Sequence, residues 1–431
     1  MKLLFLRICL CLAVLLTTSN SFVVRGQQGM VADNPTDLLR IGDKVVKVNE
    51  AISMVQGFGN TFMVTTSEGN VIIDTSIAMH ARRHHQLLTA ENKGPIKYII
   101  LTHAHGDHTG GLPLWKEAGT QIIAQKNHVE FVHYQTRLAG FYGKRNAAQF
   151  GLPVPEAGKW AGNYGAKIQP TILFDDKYEL TLGGVKFEIY RTPGETYDHL
   201  TVWVPKYKAA FTGDNYYESF PNIYTLRGTP PRWALDYVNS LNTILAFKPE
   251  IVLPSHGRPI PGNDEITRRL TRYRDAIQYV HDEVVKGMNA GKDVYTLMRE
   301  IKLPQALDVG ESYGNLVWSI RGIYEGYVGW FDLNPSTMYD RPASSVYADV
   351  VKLAGGPDAI AALAIGRVQA GDAIAALHLT DIALAADPNH RKSLEARLKA
   401  LEILRQRCKN TNERGWLDYS IKATTARLPE K

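Results

Sequence analysis

Apolar and polar residues alternate in short runs through the N-terminal part of the chain, which predicts β-strands. Residues 61–65 and 70–74 flank a Ser-Glu-Gly turn and predict a hairpin. The nearly wholly apolar run 96–101 predicts a buried strand that leads straight into His103. Further strands are predicted over residues 44–49, 121–124, 168–174, 177–182, 186–191, 200–204, 208–211 and 251–253. Helical spacing predicts helices over residues 78–91, 112–118 and 233–245.

The pattern changes near residue 262, where we place a domain boundary. Residues 45–262 combine strands with interspersed helices, whereas residues 263–410 show almost only helical spacing. Helices are predicted there over residues 264–288, 371–386 and 391–403. The last two resemble one tetratricopeptide-type unit. Residues 126–165 are rich in aromatic residues and give no clear pattern, and residues 411–431 are expected to form a C-terminal tail.

The first residues are expected to direct the chain out of the cytosol. An apolar run from Leu3 to Leu16, broken only by Arg7, follows Lys2. The run is short for a membrane span, so residues 1–26 are interpreted as a signal peptide. An uncleaved N-terminal anchor is the alternative. Either interpretation predicts a periplasmic or secreted protein.

Charge and cysteine content narrow the possible chemistry. The formal net charge is +6, and removal of residues 1–26 takes away three basic residues and no acidic one, which leaves +3. This charge is too small to indicate nucleic-acid binding, and it is compatible with an anionic substrate. Cys9 and Cys11 lie in the apolar run, so only Cys408 remains for the folded body. Histidines and carboxylates must therefore hold any metal.

The segment His103-Ala-His-Gly-Asp-His108 carries the strongest chemical signal. Three histidines and one aspartate lie within six residues, directly after a predicted buried strand. On a tight loop these side chains can converge, and imidazole nitrogens with carboxylate oxygens are ligands that suit zinc. Gly106 gives the loop the backbone freedom to turn. The alternative, a His-rich surface loop, fits this spacing poorly.

Three later residues are candidates to complete a metal site, because each follows a predicted β run. They are Glu195 in Thr-Pro-Gly-Glu-Thr, Asp214 in Thr-Gly-Asp, and His256 in Ser-His-Gly. Taken singly, each could be a turn or loop residue. Together, in this order after the His-rich loop, they indicate one shared site.

The order of these motifs resembles the metallo-β-lactamase superfamily over residues 45–262. The resemblance implies an α+β fold, an αβ/βα sandwich of two facing sheets with metals at one edge, followed here by an all-helical domain. Most members carry His where Glu195 stands, and a Glu there resembles the alkylsulfatase branch. Other stretches that resemble this branch are residues 213–217, 220–228 and 313–332.

The alkylsulfatase resemblance also implies an assembly. Residues 263–410 resemble the helical alkylsulfatase dimerisation domain, so a homodimer is expected. Full-length alkylsulfatases usually continue into a third, sterol-carrier-like domain, for which no segment is present in this sequence.

The resemblance implies two divalent metal ions, expected to be zinc, although iron or manganese would suit the same ligands. One ion would be held by His103, His105 and Glu195, and the other by Asp107, His108 and His256. Asp214 would bridge them, and Asp107 and Asp214 are the expected catalytic carboxylates. His199 is an alternative to Glu195. Glu195 in place of a neutral histidine is expected to add one negative charge and weaken the Lewis acidity of its ion.

Asn222 and Arg227 match alkylsulfatase positions that hold the sulfate group. The fork of an arginine suits a tetrahedral oxyanion, although Arg227 could equally be a structural residue that pins its loop. Asp74 resembles the structural aspartate that supports the metal loop. An apolar substrate lining or plain packing could explain the nearby aromatic residues, which are Phe141, Tyr142, Phe150, Trp160, Tyr164, Tyr216, Tyr217, Phe220 and Tyr224.

The leading hypothesis is a dinuclear metal-dependent hydrolase that cleaves alkyl sulfate esters to alcohol and sulfate, using a hydroxide held between its ions. The first alternative keeps the site and changes the substrate to another ester, a lactone, a lactam or a phosphoester. The second alternative is a non-catalytic protein that binds partners through its helical region. His80 and His84 share one helix face without a surrounding motif and are expected to be packed or solvated.

Overall fold

The computed structural model describes residues 42–153 and 168–428. In these residues the strands form two sheets. The first sheet has the order β1-β2-β3-β4-β5-β6-β7, antiparallel up to β4 and parallel from β4 onward. Its strands are β1 (Val45–Lys47), β2 (Ile52–Val55), β3 (Thr61–Thr66), β4 (Gly69–Ile73), β5 (Ile96–Ile100), β6 (Gln121–Gln125) and β7 (Ile172–Phe174).

The second sheet has the order β13-β12-β11-β10-β9-β8 and contains one parallel pair, β11 with β12. Its other neighbours are antiparallel. Its strands are β8 (Lys177–Leu182), β9 (Val185–Arg191), β10 (Leu200–Val204), β11 (Ala209–Gly213), β12 (Ile251–Pro254) and β13 (Ile260–Pro261).

Helices cover the outer faces of the sheets and form the C-terminal region. Those of the first part are α1 (Ala78–Glu91), α2 (Gly106–Thr109), α3 (Leu112–Trp115), α4 (His128–Arg137), α5 (Ala139–Phe150) and α6 (Ala234–Ala246). Those of the C-terminal region are α7 (Asn263–Asn289), α8 (Val294–Glu300), α9 (Leu316–Val328), α10 (Tyr347–Leu353), α11 (Pro357–Gln369), α12 (Ala373–Ala386), α13 (Arg391–Arg407) and α14 (Thr411–Thr425).

The two sheets face each other across a dry apolar layer. Phe62 of β3 and Phe211 of β11 meet there at 5.2 Å between ring centroids, and both are fully buried. Burying one such side chain contributes about 1.5–3 kcal/mol, so alternation along both strands fixes the facing of the sheets. Leu88 and Trp115 lie in a second cluster on the outer side of the first sheet. This arrangement is the predicted αβ/βα sandwich.

The helical region packs directly on the second sheet. One cluster joins Trp203 of β10 and Leu241 of α6 to Ile277 of α7 and Ile320 of α9. Helix α7 is apolar on one side only, and that side is the one it buries. The predicted all-helical region therefore shares a core with the sandwich.

Several sequence predictions are corrected by the structure. Residues 128–150, which gave no clear pattern, form α4 and α5. The expected tail contains α14, which packs against α5 and α13. The helix predicted over 112–118 ends at Trp115, and the strand predicted from residue 168 begins at Ile172. In the described part of the chain, no helix is both long and apolar enough to cross a membrane.

Candidate metal centre and anion-binding loop

The candidate ligands lie at one end of the two sheets. His103 and His105 follow β5, Asp107 and His108 lie in the short helix α2 where the sequence predicted a loop, and Asp214 and His256 follow β11 and β12. Because β11 and β12 are parallel and adjacent, their ends place Asp214 and His256 side by side. Glu195 lies on the connection between β9 and β10. One local motif after β5 therefore supplies four candidate ligands, and the ends of later strands supply the other three.

Asp74, at the end of β4, holds the metal loop from behind. Its Oδ1 accepts from the backbone N–H of Thr102 at 2.8 Å, and its Oδ2 accepts from the Thr102 hydroxyl at 2.8 Å. Its Oδ2 also lies 2.8 Å from His108 Nδ1 and 2.9 Å from the Ser255 hydroxyl. A carboxylate at Nδ1 favours the tautomer with Nε2 free for a metal. The predicted supporting role of Asp74 agrees with this geometry.

The first half-site consists of His103, His105 and Glu195, all buried. His103 Nε2 lies 2.9 Å from His105 Nδ1, and His105 Nδ1 lies 4.0 Å from Glu195 Oε1. Burial lowers the pKa of His103 and His105 well below the ordinary histidine value. Both rings are therefore neutral, and their lone pairs are available to a metal.

The second half-site consists of Asp107, His108 and His256. Asp107 Oδ2 lies 3.3 Å from both His108 Nε2 and His256 Nε2. The side chains of His256 and Asp107 keep 24% and 16% of their surface exposed, whereas His108 is fully buried. The second half-site is thus the open side of the centre.

Asp214 joins the two half-sites. Its Oδ2 lies 3.7 Å from His103 Nε2 and 3.1 Å from His256 Nε2, while its Oδ1 lies 3.4 Å from His108 Nε2. Each half-site, with Asp214, gathers ligand atoms within 4.8 Å of one another, apart from the more distant Glu195. Gly213 before it has φ +52°, and a Cβ there would lie 2.3 Å from His199 Nε2, so only glycine fits.

The donor set fits divalent metal ions. Among the described residues, His108 Nε2 and Asp214 Oδ1 are buried without any hydrogen-bond partner, an arrangement that a cation would satisfy. Burial lowers the pKa of His256, but Asp214 and Asp107 outweigh it and raise that pKa to about 10. The carboxylates therefore attract positive charge strongly, as expected at a metal centre.

His199 is a poor alternative to Glu195 because both of its ring nitrogens are engaged. Its Nε2 accepts from the backbone N–H of Asp214 at 3.0 Å, and its Nδ1 lies 3.4 Å from the Thr192 hydroxyl. Burial lowers the pKa of His199 to about 4, so the ring is neutral and can act as this acceptor. The geometry favours Glu195 as the ligand and His199 as the support of the Asp214 loop.

Glu195 is held by two side chains that the sequence did not single out. Arg232 Nη1 lies 2.5 Å from Glu195 Oε1, and the Tyr237 hydroxyl donates to Oε2 at 2.7 Å. Burial raises the pKa of Glu195, and the Arg232 cation opposes this rise. No motif marks Arg232 or Tyr237 in the sequence, since their role depends on the approach of the β9–β10 loop to α6.

Glu195 therefore does not simply add negative charge to the centre, as the sequence suggested. Arg232 is buried with its side chain 2% exposed, so its charge acts on Glu195 with little solvent screening. The Glu195–Arg232 pair has no net charge, like a neutral histidine. The expected weakening of Lewis acidity is accordingly offset by a cation that only the fold reveals.

Residues 222–229 form a loop beside the first half-site, which we call the anion loop. The backbone N–H of Arg227 donates to Gln149 Oε1 at 2.9 Å, and Arg145 donates to the carbonyls of Leu226 and Arg227 at 2.5 Å each. Other residues thus pin this loop. These bonds use only the backbone of Arg227. The buried Nε of its side chain has no partner among the described residues, so the side chain is available to bind a ligand.

Arg227 lines a narrow pocket that reaches His105. The pocket is formed by His105, Phe131, Tyr134, Gln135, Tyr142, Asn146, Arg227, Gly228, Thr229 and Pro230. Burial is the largest cause of the low pKa of His105, and the positive charge of Arg227 is the second. This effect indicates that the guanidinium lies close to the first half-site. Asn222 is fully buried, and both polar atoms of its amide lack a partner among the described residues.

Only some of the aromatic residues that the sequence suggested as a substrate lining lie in this pocket. Tyr142 lines the pocket, together with Phe131 and Tyr134, which the sequence did not single out. Tyr216 and Phe220 instead belong to the core between the second sheet and the helices. Trp160 and Tyr164 lie outside the described residues.

His80 and His84 are packed rather than solvated, and both are fully buried. His80 Nδ1 accepts from the backbone N–H of Phe58 at 3.3 Å, and His84 Nδ1 lies 3.0 Å from the Thr61 hydroxyl. The Phe58 ring contacts His256 at 5.5 Å between centroids. These histidines therefore support the wall of the second half-site from behind.

Comparison with known families agrees with the fold and the site. Residues 54–256 match the model of the metallo-beta-lactamase superfamily, and residues 295–427 match the model of alkyl sulfatase dimerisation. The sandwich and its metal-binding motifs define a member of the metallo-β-lactamase superfamily. The second match places the chain in the alkylsulfatase-like branch of that superfamily, as the resemblance of its motifs indicated.

The chain is similar in sequence to curated proteins named as sulfatases. A linear primary-alkylsulfatase of a Pseudomonas species is 29% identical over 380 residues, covering 82% of this chain and 72% of the relative. An alkyl/aryl-sulfatase of Saccharomyces cerevisiae is 27% identical over 390 residues, covering 83% of this chain and 60% of the relative. The chain thus spans less than two thirds of the yeast protein.

A solved structure shares the fold over most of this chain. The stereoselective inverting secondary alkylsulfatase of a Pseudomonas species superposes with a TM-score of 0.81 at 23% identity, covering 90% of this chain and 66% of that one. This likeness extends the agreement in fold from the sandwich to the helical region.

Proposed function

We propose that the protein is a hydrolase of alkyl sulfate esters that depends on two divalent metal ions, expected to be zinc. The observation that carries the proposal is the position of Arg227 beside His105, with its loop pinned by other residues. The sulfatase activity in the names of the relatives supports the same substrate class.

The metal ions would be held by the two half-sites, with Asp214 shared between them. Two such ions supply Lewis acidity and lower the pKa of bound water toward neutrality. Asp74 fixes the tautomer of His108, and His199 fixes the backbone of Asp214. These hydrogen bonds keep the ligands in place before any substrate arrives, which is the protein's main contribution to such chemistry.

The anion loop would bind the sulfate group. The Arg227 guanidinium offers paired N–H donors to two sulfate oxygens, and charge-assisted bonds of this type are the strong ones in proteins. The amide of Asn222, buried and without a partner among the described residues, is a second candidate donor on the same loop. Binding the sulfate here would place the ester against the first half-site, while Phe131, Tyr134 and Tyr142 would contact the alkyl group.

The test is turnover of alkyl sulfates of several chain lengths by purified, zinc-loaded protein. We expect release of sulfate, which Asp214→Asn abolishes and which the surface variant Lys286→Gln leaves unchanged. A chromogenic cephalosporin, an acyl-homoserine lactone and a phosphodiester serve as competing substrates. Hydrolysis of one of these with no sulfate release at any chain length would contradict the proposal and favour another substrate class.

A homodimer is the proposed assembly, supported by the match to the alkyl sulfatase dimerisation model. The segment between α9 and α10 exposes large apolar side chains, with Trp330 73%, Leu333 84% and Tyr339 70% exposed. Apolar residues concentrated in this way are typical of a protein interface. Light scattering should give twice the chain mass, and Leu333→Glu should shift the protein toward the monomer.

Export from the cytosol is proposed from the apolar run of Leu3 to Leu16. Fractionation of expressing cells and N-terminal sequencing of the mature protein test it. A cleaved chain in the exported fraction supports a signal peptide, an intact membrane-bound chain supports the anchor, and an intact chain in the cytosol contradicts both.

A further inference from the structure

Arg232 touches both the candidate metal ligand and the anion loop. Its Nη1 lies 2.5 Å from Glu195 Oε1 and donates to the carbonyl of Asn222 at 2.8 Å. Its Nε donates to the Thr229 hydroxyl at 3.1 Å. One buried guanidinium therefore spans the two ends of the anion loop and reaches a ligand of the first half-site.

We propose that Arg232 is a positioning residue that fixes Glu195 for metal binding and couples the first half-site to the anion loop. This inference rests on the proposed function for the role of the loop, but not for the metal. Arg232 directs Glu195 Oε1 from one side while Tyr237 holds Oε2, so the carboxylate is fixed in one orientation. A fixed carboxylate loses less conformational freedom when it binds an ion.

Charge gives Arg232 a second effect. Glu195 and Arg232 are both nine-tenths or more buried, and neither charge would be stable there alone. The pair gives the half-site the net charge of a neutral ligand while providing an oxygen donor. Arg232 therefore makes a carboxylate acceptable at this buried position.

Arg145 provides a matched control, because it holds the same loop without touching Glu195. It donates to the carbonyls of Leu226 and Arg227. If Arg232 only stabilised the loop, Arg232→Met and Arg145→Met should have the same effect. If Arg232 positions the ligand, only Arg232→Met should change metal retention.

The experiment measures zinc retention during competition with a chelator, followed by metal analysis of the protein. Wild-type protein and Arg145→Met should release both ions alike. Arg232→Met should bind one of its two ions about 10–100-fold more weakly, the usual effect of losing a group that orients a ligand. Arg232→Lys should lie between them, because lysine keeps the charge but lacks the planar fork.

Tyr237→Phe keeps the test decisive if Arg232→Met does not fold. It removes only the hydroxyl on Glu195 Oε2 and should weaken the same ion several-fold. Equal zinc retention in wild type, Arg232→Lys and Tyr237→Phe would overturn the proposal, as would equal loss in Arg145→Met and Arg232→Met. Zinc retention is measured without substrate, so absence of sulfatase activity would refute the proposed function and leave this result standing.

Discussion

The two half-sites of the candidate centre are built differently. The second half-site is supported by Asp74, which accepts from His108, and it remains partly open at His256 and Asp107. The first half-site is more deeply buried, and its carboxylate Glu195 is paired with the buried cation Arg232. The two half-sites are therefore stabilised by separate contacts, Asp74 with His108 in the second and Arg232 with Glu195 in the first.

The anion loop lies beside the first half-site. Arg227 shares a pocket with His105 of the first half-site, and Arg232 joins that half-site to the loop. The second half-site instead borders Phe58, behind which His80 and His84 pack. The proposed substrate-binding residue thus lies beside the first half-site, and this asymmetry can be tested by disturbing each half-site separately.

Asp214→Asn should have the largest effect, because Asp214 belongs to both half-sites. We expect activity to fall by at least about a thousandfold, since loss of metal-based charge stabilisation removes several kcal/mol. Both ions should be bound more weakly in metal analysis. Loss of only one ion would show that Asp214 is not shared.

Glu195→His should destabilise the first half-site alone, because it removes the negative charge that is paired with Arg232. A buried cation without a counter-ion should lower the free energy of unfolding by about 3–5 kcal/mol. Urea denaturation in the presence of a chelator measures this stability without metal. The double variant Glu195→His with Arg232→Met should recover most of the loss, and strictly additive losses would show that the pair is not coupled.

Asp74→Asn should act mainly on the second half-site, through the lost bond to His108. Metal affinity there should fall about 10–100-fold, the usual effect of removing a carboxylate behind a histidine ligand. Stepwise chelator competition should show that the weaker ion differs from the one affected by Arg232→Met. Loss of the same ion in both variants would remove the distinction between the half-sites.

Arg227→Met should leave both ions in place and weaken substrate binding. Loss of a charged hydrogen bond removes about 1.5–3 kcal/mol, so KM for an alkyl sulfate should rise about tenfold or more. Steady-state kinetics with parallel metal analysis checks this. Unchanged kinetics with full metal content would assign Arg227 a structural role.

His84→Gln should have the smallest effect, visible only in the pH dependence of stability. Burial lowers the pKa of His84 to about 3, while its unfolded value is near 6.5. Between these values the unfolded chain binds a proton that the folded chain excludes, so stability falls as the pH falls through this window. Urea denaturation at pH 5 and pH 7, without metal, should show a shallower loss for His84→Gln; an equal loss would mean that His84 is not the group responsible.

The sequence predicted the positions of the candidate ligands but not the residues that surround them. The His103–His108 motif and the strand-end positions of Glu195, Asp214 and His256 carry local signals, because loops after buried strands converge at a sheet edge. Arg232 and Arg145 carry none. Their partners lie 37 and 82 residues away respectively, as the positions of Glu195 and Arg227 show, so only the folded chain reveals them.

Local sequence patterns also explain which elements of the fold were predicted. The alternating strand β8 and the buried strand β10 were predicted with the observed bounds. Helices α4 and α5 were not recognised, since several of their residues line a pocket and α5 also packs against α14, so neither helix packs on one apolar core alone. Functional surfaces depart from simple periodicity, and sequence patterns are weakest there.

Anomalous diffraction from zinc-loaded crystals would show whether the centre consists of two unlike half-sites that share Asp214. Two zinc peaks are expected, one bound by His103, His105 and Glu195 and the other by Asp107, His108 and His256, with Asp214 in contact with both. Arg232 should remain within hydrogen-bonding distance of Glu195. A single peak, or a first ion bound by His199 in place of Glu195, would show that the two half-sites are not built in this way.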